Sequence, residues 1–155
     1  MALKSYNPTI RNLLNSLIDF SDSLPDFIEE AVRNREAEIV EVITWMQLYN
    51  QGINGRGRKI MEYAPYRPIT IRIKRKKGQP TNRVTLRDTM DFHDSVYVVF
   101  DSEGFYVVAE DGKTDKLIDK YGKDILRLTD ENLHAVVRVP VVREVVEQLK
   151  QAIKP

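Results

Sequence analysis

Apolar residues recur at helical spacing at both ends of this chain, while glycine and proline punctuate its middle. That pattern points to helices framing an antiparallel sheet. Near the N-terminus, Asn7 is placed to cap a helix, with Pro8 at the first helical position, where its missing N–H costs nothing. Ile10, Leu13, Leu14, Leu17 and Ile18 follow at helical spacing. Ser21-Asp22-Ser23 is expected to close that helix and open a second, with Ser23 and Asp26 as a capping pair. The second helix is expected from Leu24 to about Asn50, on a stripe of Ile28, Val32, Ile39, Val42, Ile43, Met46 and Tyr49. The stripe has a polar gap at Arg35-Glu36, which predicts a bend or a departure from the core. Gly52 is a natural stop. A helix of that extent is about 40 Å long, so one end is expected to project.

The middle reads differently. Gly52, Gly55 and Gly57 predict a flexible stretch, and Pro65 and Pro68 argue against helix nearby. Ile69-Thr70-Ile71-Arg72-Ile73-Lys74 alternates as a half-buried strand does, and Lys77-Gly78-Gln79-Pro80 signals a turn. Residues 51–83 are therefore expected to form an extended arm or a long hairpin. The sheet is expected to continue at Arg83–Leu86, then Asp94–Phe100, a turn at Asp101-Ser102-Glu103-Gly104, and Phe105–Glu110. Thr114 is placed to cap a short helix ending at Gly122. Ile125–Leu133 reads as irregular or short helical, and His134–Val139 as a strand. Pro140 opens a closing helix whose apolar side carries Val142, Val145, Val146, Leu149 and Ile153. The expected class is α+β: N-terminal helices, an antiparallel sheet with a long basic hairpin or arm, and a C-terminal helix. Residues 1–155 suit one domain.

Charge is segregated. Between Asn54 and Arg87 lie eleven cations against Glu62 alone, a net of +10 in a chain whose total is +1, which leaves −9 elsewhere. One reading is a solvated loop that stays soluble by self-repulsion. The other is a surface for phosphates or for an acidic protein face. Arg56, Arg58, Lys59, Arg72, Lys74, Arg75, Lys76 and Lys77 are its candidate contact residues. On a strand, Arg72, Lys74 and Lys76 share one face. Tyr63 and Tyr66 lie close enough to stack on bases, although packing in a core or an interface explains them better. No base-reading motif accompanies them, so any such binding is to backbone and salt-sensitive.

Other chemistry is thin. The chain has no cysteine, which excludes disulfides and thiolate metal sites and fits a reducing compartment. His93, in Asp91-Phe92-His93-Asp94, is the one candidate for acid–base work or metal ligation, and a surface or structural role is the commoner one for such a histidine. Asp111, Asp115, Asp119 and Asp124 are too loosely spaced for a calcium loop. The glycines at 52, 55 and 57 lack the Gly-Lys-Ser/Thr frame of a phosphate loop. No catalytic activity, cofactor or metal is expected. No apolar run approaches the roughly 20 residues that span a bilayer, and Met1–Tyr6 leads into no signal-peptide core, so no membrane partner is expected.

The segment Val84-Thr85-Leu86-Arg87-Asp88-Thr89-Met90-Asp91-Phe92-His93-Asp94-Ser95-Val96 resembles the Leu-Arg-x-Thr-Gly-x-Leu-x-x-Ser-Ile core of tailed-bacteriophage virion-morphogenesis proteins. These are the tail-completion and head–tail joining proteins. In that family, long helices precede the motif, a strand hairpin follows, and a helix closes the fold. The order here is similar from about Ile39 to Ile153. Met90 stands where the family has glycine, so the turn there lacks free access to positive φ. The resemblance implies a non-enzymatic ring subunit at the neck or tail of a virion, assembled in the host cytoplasm beside portal, neck or tail proteins. It gives Thr89, Phe92 and Ser95 the role of fixing the turn into the sheet. It also gives the basic arm two uses, clamping the acidic face of the next subunit or lining a DNA channel, and segregated charge suits head-to-tail contact between copies. The alternative is a basic nucleic-acid-binding module of a mobile element.

Overall fold

The computed structural model describes residues 8–154. Asn7, the expected cap, lies outside the described residues. The protein is α+β, with N-terminal helices, a two-stranded antiparallel sheet and a C-terminal helix.

Helix α1 spans Pro8–Arg33 without a break, so the expected boundary at Ser21-Asp22-Ser23 is not one. Those three residues are exposed, and Ser23 Oγ donates to the Phe20 carbonyl at 3.0 Å rather than capping a new helix. Pro25 sits inside the helix, where water can reach the carbonyl that its missing N–H leaves free. The real interruption comes at Asn34-Arg35, beside the polar gap in the stripe. There the Arg35 N–H turns back to the Val32 carbonyl at 2.9 Å. Helix α2, Glu36–Glu41, then continues as a π-helical segment, Val42–Gln51. Gly52 ends it at φ +65°, and a Cβ there would lie 2.7 Å from Arg83 Cβ.

Residues 51–83 are not an extended arm. They fold back onto the body because they carry core residues of their own. Asn54 Oδ1 accepts the N–H groups of Arg56 and Arg58, closing a tight turn. Gly55 lies so near Arg127 that a Cβ would fall 2.5 Å from its carbonyl oxygen. Helix α3, Ile60–Tyr63, opens on the fully buried Ile60, and beyond it Tyr66 is buried with its hydroxyl accepting the Thr85 N–H at 3.0 Å. The alternating run 69–74 is helix α4, Pro68–Lys76, rather than a strand. Pro68 pre-sets the first turn, three cations sit at the negative C-terminal end, and Gly78 at φ +65° follows the stop.

Residues 83–86 also join no sheet. Their backbone is satisfied by side chains: Thr85 N–H by Tyr66, and the Thr85 carbonyl by His93 Nε2–H at 3.0 Å. Leu86 stands at φ +52°. The hairpin itself forms as expected around Asp101–Gly104. Strand β1, Val96–Asp101, pairs antiparallel with β2, Gly104–Ala109, and Val98 faces Val107. Asp101 Oδ1 accepts from the N–H groups of Glu103 and Gly104 at the turn. Glu36 Oε1 accepts the outward N–H of Val98 at 3.1 Å, which ties α2 to the edge of β1.

Helix α6, Thr114–Tyr121, ends at Gly122 as expected. Thr114 is not its cap, because its hydroxyl is buried and makes no cap bond. Asp111 organises that turn by accepting the Lys113 N–H at 3.1 Å. Lys123–Leu126 is a 3-10 turn. The expected strand at 134–139 is helical instead. Thr129 caps helix α7, Asp130–Leu133, by accepting from the Asn132 N–H, and the chain continues as a π turn, His134–Arg138. It runs on without a break into helix α8, Val139–Ala152. Pro140 therefore falls inside a continuous helix rather than opening one, and the wider π turn stands where its missing N–H would have bonded. The core joins all of these elements through Ile39, Ile43, Leu48, Ile60, Val84 and Ile125, each without solvent exposure.

Candidate interaction surfaces

The cations of the basic segment are divided by the fold. Lys74 is not a contact residue. It is buried, with Nζ donating to Gln79 Oε1 at 3.1 Å and to the Arg87 carbonyl at 2.9 Å, over the Tyr66 ring. Arg56 pairs with Asp124 at 2.7 Å, and Lys77 with Asp88 at 2.5 Å. The Lys77 hydrogen bond holds the Asp88 carboxyl below its usual range. Arg58 covers the Tyr63 ring at 4.8 Å. Lys59, Arg72, Arg75 and Lys76 are exposed and, among the described residues, have no anionic partner. Arg72, Arg75 and Lys76 share one side of α4 by helical spacing, so helix rather than strand periodicity gathers them.

Neither tyrosine of the segment is a base-stacking residue. Tyr66 is buried, and Tyr63 is half-buried with its hydroxyl donating to the Tyr121 carbonyl at 2.8 Å. A stacked aromatic pair lies on the π-helical segment instead, with Trp45 exposed and Tyr49 half-buried. Trp45 and Tyr49 stack with centroids 4.5 Å apart and planes 15° from parallel. The Arg87 guanidinium stands 4.8 Å from the Tyr49 ring and 5.8 Å from Trp45, and Arg83 stands 5.7 Å from Tyr49. Sequence periodicity assigned Tyr49 to a core stripe and passed over Trp45. The available signal was two large rings four residues apart.

The motif residues surround helix α5, Asp91–Asp94. Thr89 Oγ donates to Asp91 Oδ2 at 2.5 Å, Ser95 Oγ donates to the Phe92 carbonyl at 2.8 Å, and Phe92 is buried in the core. His93 is buried and holds the Thr85 carbonyl; burial lowers its pKa, so it stays neutral. Among the described residues, no group of three or more His, Cys, Asp or Glu is arranged to hold a metal, and no helix is long and apolar enough to cross a membrane.

Most of the exposed large apolar residues lie on α1 and α8. The ion pair of Arg35 with Glu144 ties the end of α1 to the first turns of α8. Since the helices lie side by side from there, α8 must run back antiparallel along α1. On α1 the packed apolar positions include Phe20, Leu24, Phe27 and Ala31, with Val32 buried beside them, and on α8 they include Val141, Val145, Leu149 and Ala152. Ile10, Leu13, Leu14, Leu17, Ile18 and Ile28, with Val139, Val142, Val146 and Ile153, remain between 38% and 61% exposed. On each helix the exposed set leads the packed set by roughly a quarter turn at 100° per residue, which puts both sets on one side of an antiparallel pair. Ten large apolar side chains are thus exposed along the two helices, more than the singly scattered residues normal on a protein surface.

Compared with known proteins, the chain matches no family model, no curated protein and no solved structure.

Proposed function

We propose that this protein is a structural subunit of a phage or prophage head–tail connector or tail-completion ring, and that it acts by contact rather than by catalysis. The observation that carries the reading is the apolar face of α1 and α8. A row of exposed apolar side chains along two neighbouring helices is one that another protein covers in use. The phage assignment itself rests on the motif from Val84 to Val96 and on the order of elements around it. In this reading the ring contacts portal, neck or tail proteins, and Arg58, Lys59, Arg72, Arg75 and Lys76 meet an acidic neighbour or packaged DNA. The second reading, a basic nucleic-acid-binding module, has the unpaired cations of α4 in its favour.

The test is quantitative mass spectrometry of purified virions or induced prophage particles, with copy number taken against the major capsid protein. A closed ring requires a low fixed number, about six or twelve per particle. Absence from particles refutes the connector.

A further inference from the structure

We propose that Trp45, Tyr49, Arg83 and Arg87 form a stacking platform for single-stranded nucleic acid. The site is separate from the apolar face and does not depend on the connector reading.

Three observations converge. The first is the aromatic surface. Trp45 is 44% exposed yet held parallel to Tyr49 by a π-helical turn, a conformation uncommon in soluble proteins and frequent at functional sites. A ring kept half in water and fixed in orientation offers a face on which a base can stack.

The second is the state of the two arginines. Arg83 is anchored, with Nε donating to the Tyr49 carbonyl at 2.6 Å and one terminal nitrogen donating to Asn82 Oδ1. Arg87 is positioned by the two rings alone, and among the described residues its guanidinium has no hydrogen-bonded or ion-paired acceptor. A guanidinium held by two rings with no acceptor among those residues is placed to receive a phosphate, which fits its planar fork.

The third is the path beside the rings. A groove of about 240 Å³ runs past Tyr49 and Arg87 to Gly78, Gln79 and Pro80. Those residues directly follow the last turn of α4, where Arg75 and Lys76 are unpaired. One carboxylate, Asp88, lines the groove, and its charge is matched by Lys77. Rings for bases beside a cationic track for backbone is the arrangement of sequence-tolerant single-strand binding. A duplex cannot use the rings, because its bases are already stacked.

Trp45 is the only tryptophan in the chain, so its fluorescence reports on the platform alone. The full chain is titrated with fifteen-residue oligo(dT) at low salt, following tryptophan emission and, separately, the anisotropy of labelled oligonucleotide. Saturable quenching is expected. Tyr49→Ala and Trp45→Ala should each weaken binding about tenfold or more by anisotropy. Arg87→Ala should weaken it and reduce the log–log salt slope by about 0.7. Circular dichroism checks that the variants fold, and exposed Trp45 keeps the test valid if Tyr49→Ala does not. No binding at 100 μM protein overturns the proposal. So does duplex binding of equal strength without quenching, or binding indifferent to Trp45→Ala and Arg87→Ala, which makes the rings a protein contact or a bystander to bare charge.

Discussion

Replacing Gln47 with leucine tests how the two ends of the chain are held together. Gln47 is fully buried on the π-helical segment. Its Nε2 donates to the Arg127 carbonyl at 2.9 Å, and its Oε1 accepts from Thr129 N–H and from Asn132 Nδ2, both at 2.9 Å. Thr129 is the cap of α7, so this one amide fixes the start of the helical run that ends in α8. Leucine fills nearly the same volume and makes none of the bonds. A polar group orphaned in the interior costs about 1–3 kcal/mol, and Asn132, which is only half-buried, can recover part of its share from water. The expected loss is about 3–5 kcal/mol, a large part of the roughly 5–15 kcal/mol that holds a domain folded. In urea denaturation, with a slope of about 2 kcal/mol per molar, the midpoint should fall by about 1.5–2.5 M. Hydrogen exchange should rise along α7 and α8 before it rises in β1. A midpoint shift under 0.5 M would refute the argument, since it would mean that water replaces the amide without cost.

His93 predicts a pH dependence. Burial lowers its pKa in the folded state, so at acid pH the unfolded chain takes the proton first. The stabilising share of neutral His93 is therefore complete above about pH 7, begins to be lost as pH falls below 6.5 and goes on being lost down to the lower folded value, so urea midpoints between pH 5 and 8 should show a slope that His93→Gln lacks. The apolar face predicts a separation of stability from assembly. Leu14→Gln and Val142→Gln alter exposed positions, so stability should move by about 0.5 kcal/mol or less, while incorporation into particles should fail.

The hairpin was legible because both of its signals are local. Asp101–Gly104 is turn chemistry, and the valines on either side suit a sheet with one face on the core. The C-terminal helix was legible in type but not in extent, since Val136 and Val137 favour strands until a capped helix on one side and a continuing one on the other leave them no partner strand. The run 69–74 failed for a similar reason. Its alternation is real, but Lys74 gains two acceptors and a ring only by turning inward on a helix. Ser21–Ser23 looked like a boundary because polar residues cluster there, yet one helix face can be polar when the helix is mostly in water. For the candidate sites, charge was visible and placement was not. The basic positions were countable from sequence, whereas Trp45 and Tyr49 meet Arg83 and Arg87 only after the chain folds back across some forty residues.

Charge also bears on how copies would meet. Helix α1 carries Asp19, Asp22, Asp26, Glu29 and Glu30 against Arg11 and Arg33, while the exposed cations of α4 lack anions among the described residues. At 100° per residue these acids lie roughly opposite the exposed apolar residues of α1, so a contact through the apolar face leaves them open to a cationic neighbour. A head-to-tail contact brings α1 of one copy toward a different surface of the next, where opposite charge can meet, and such contacts close into rings. The chain has no cysteine, so a single introduced thiol is a clean reporter. Ile18→Cys, on the exposed side of α1, should form little disulfide dimer in assembled protein, because its own copies do not face one another across a heterologous contact. Pairing it with a second cysteine in α4, at Arg72 or Lys76, should produce ladders of linked subunits. Efficient dimer from Ile18→Cys alone would establish a two-fold contact and refute the head-to-tail ring.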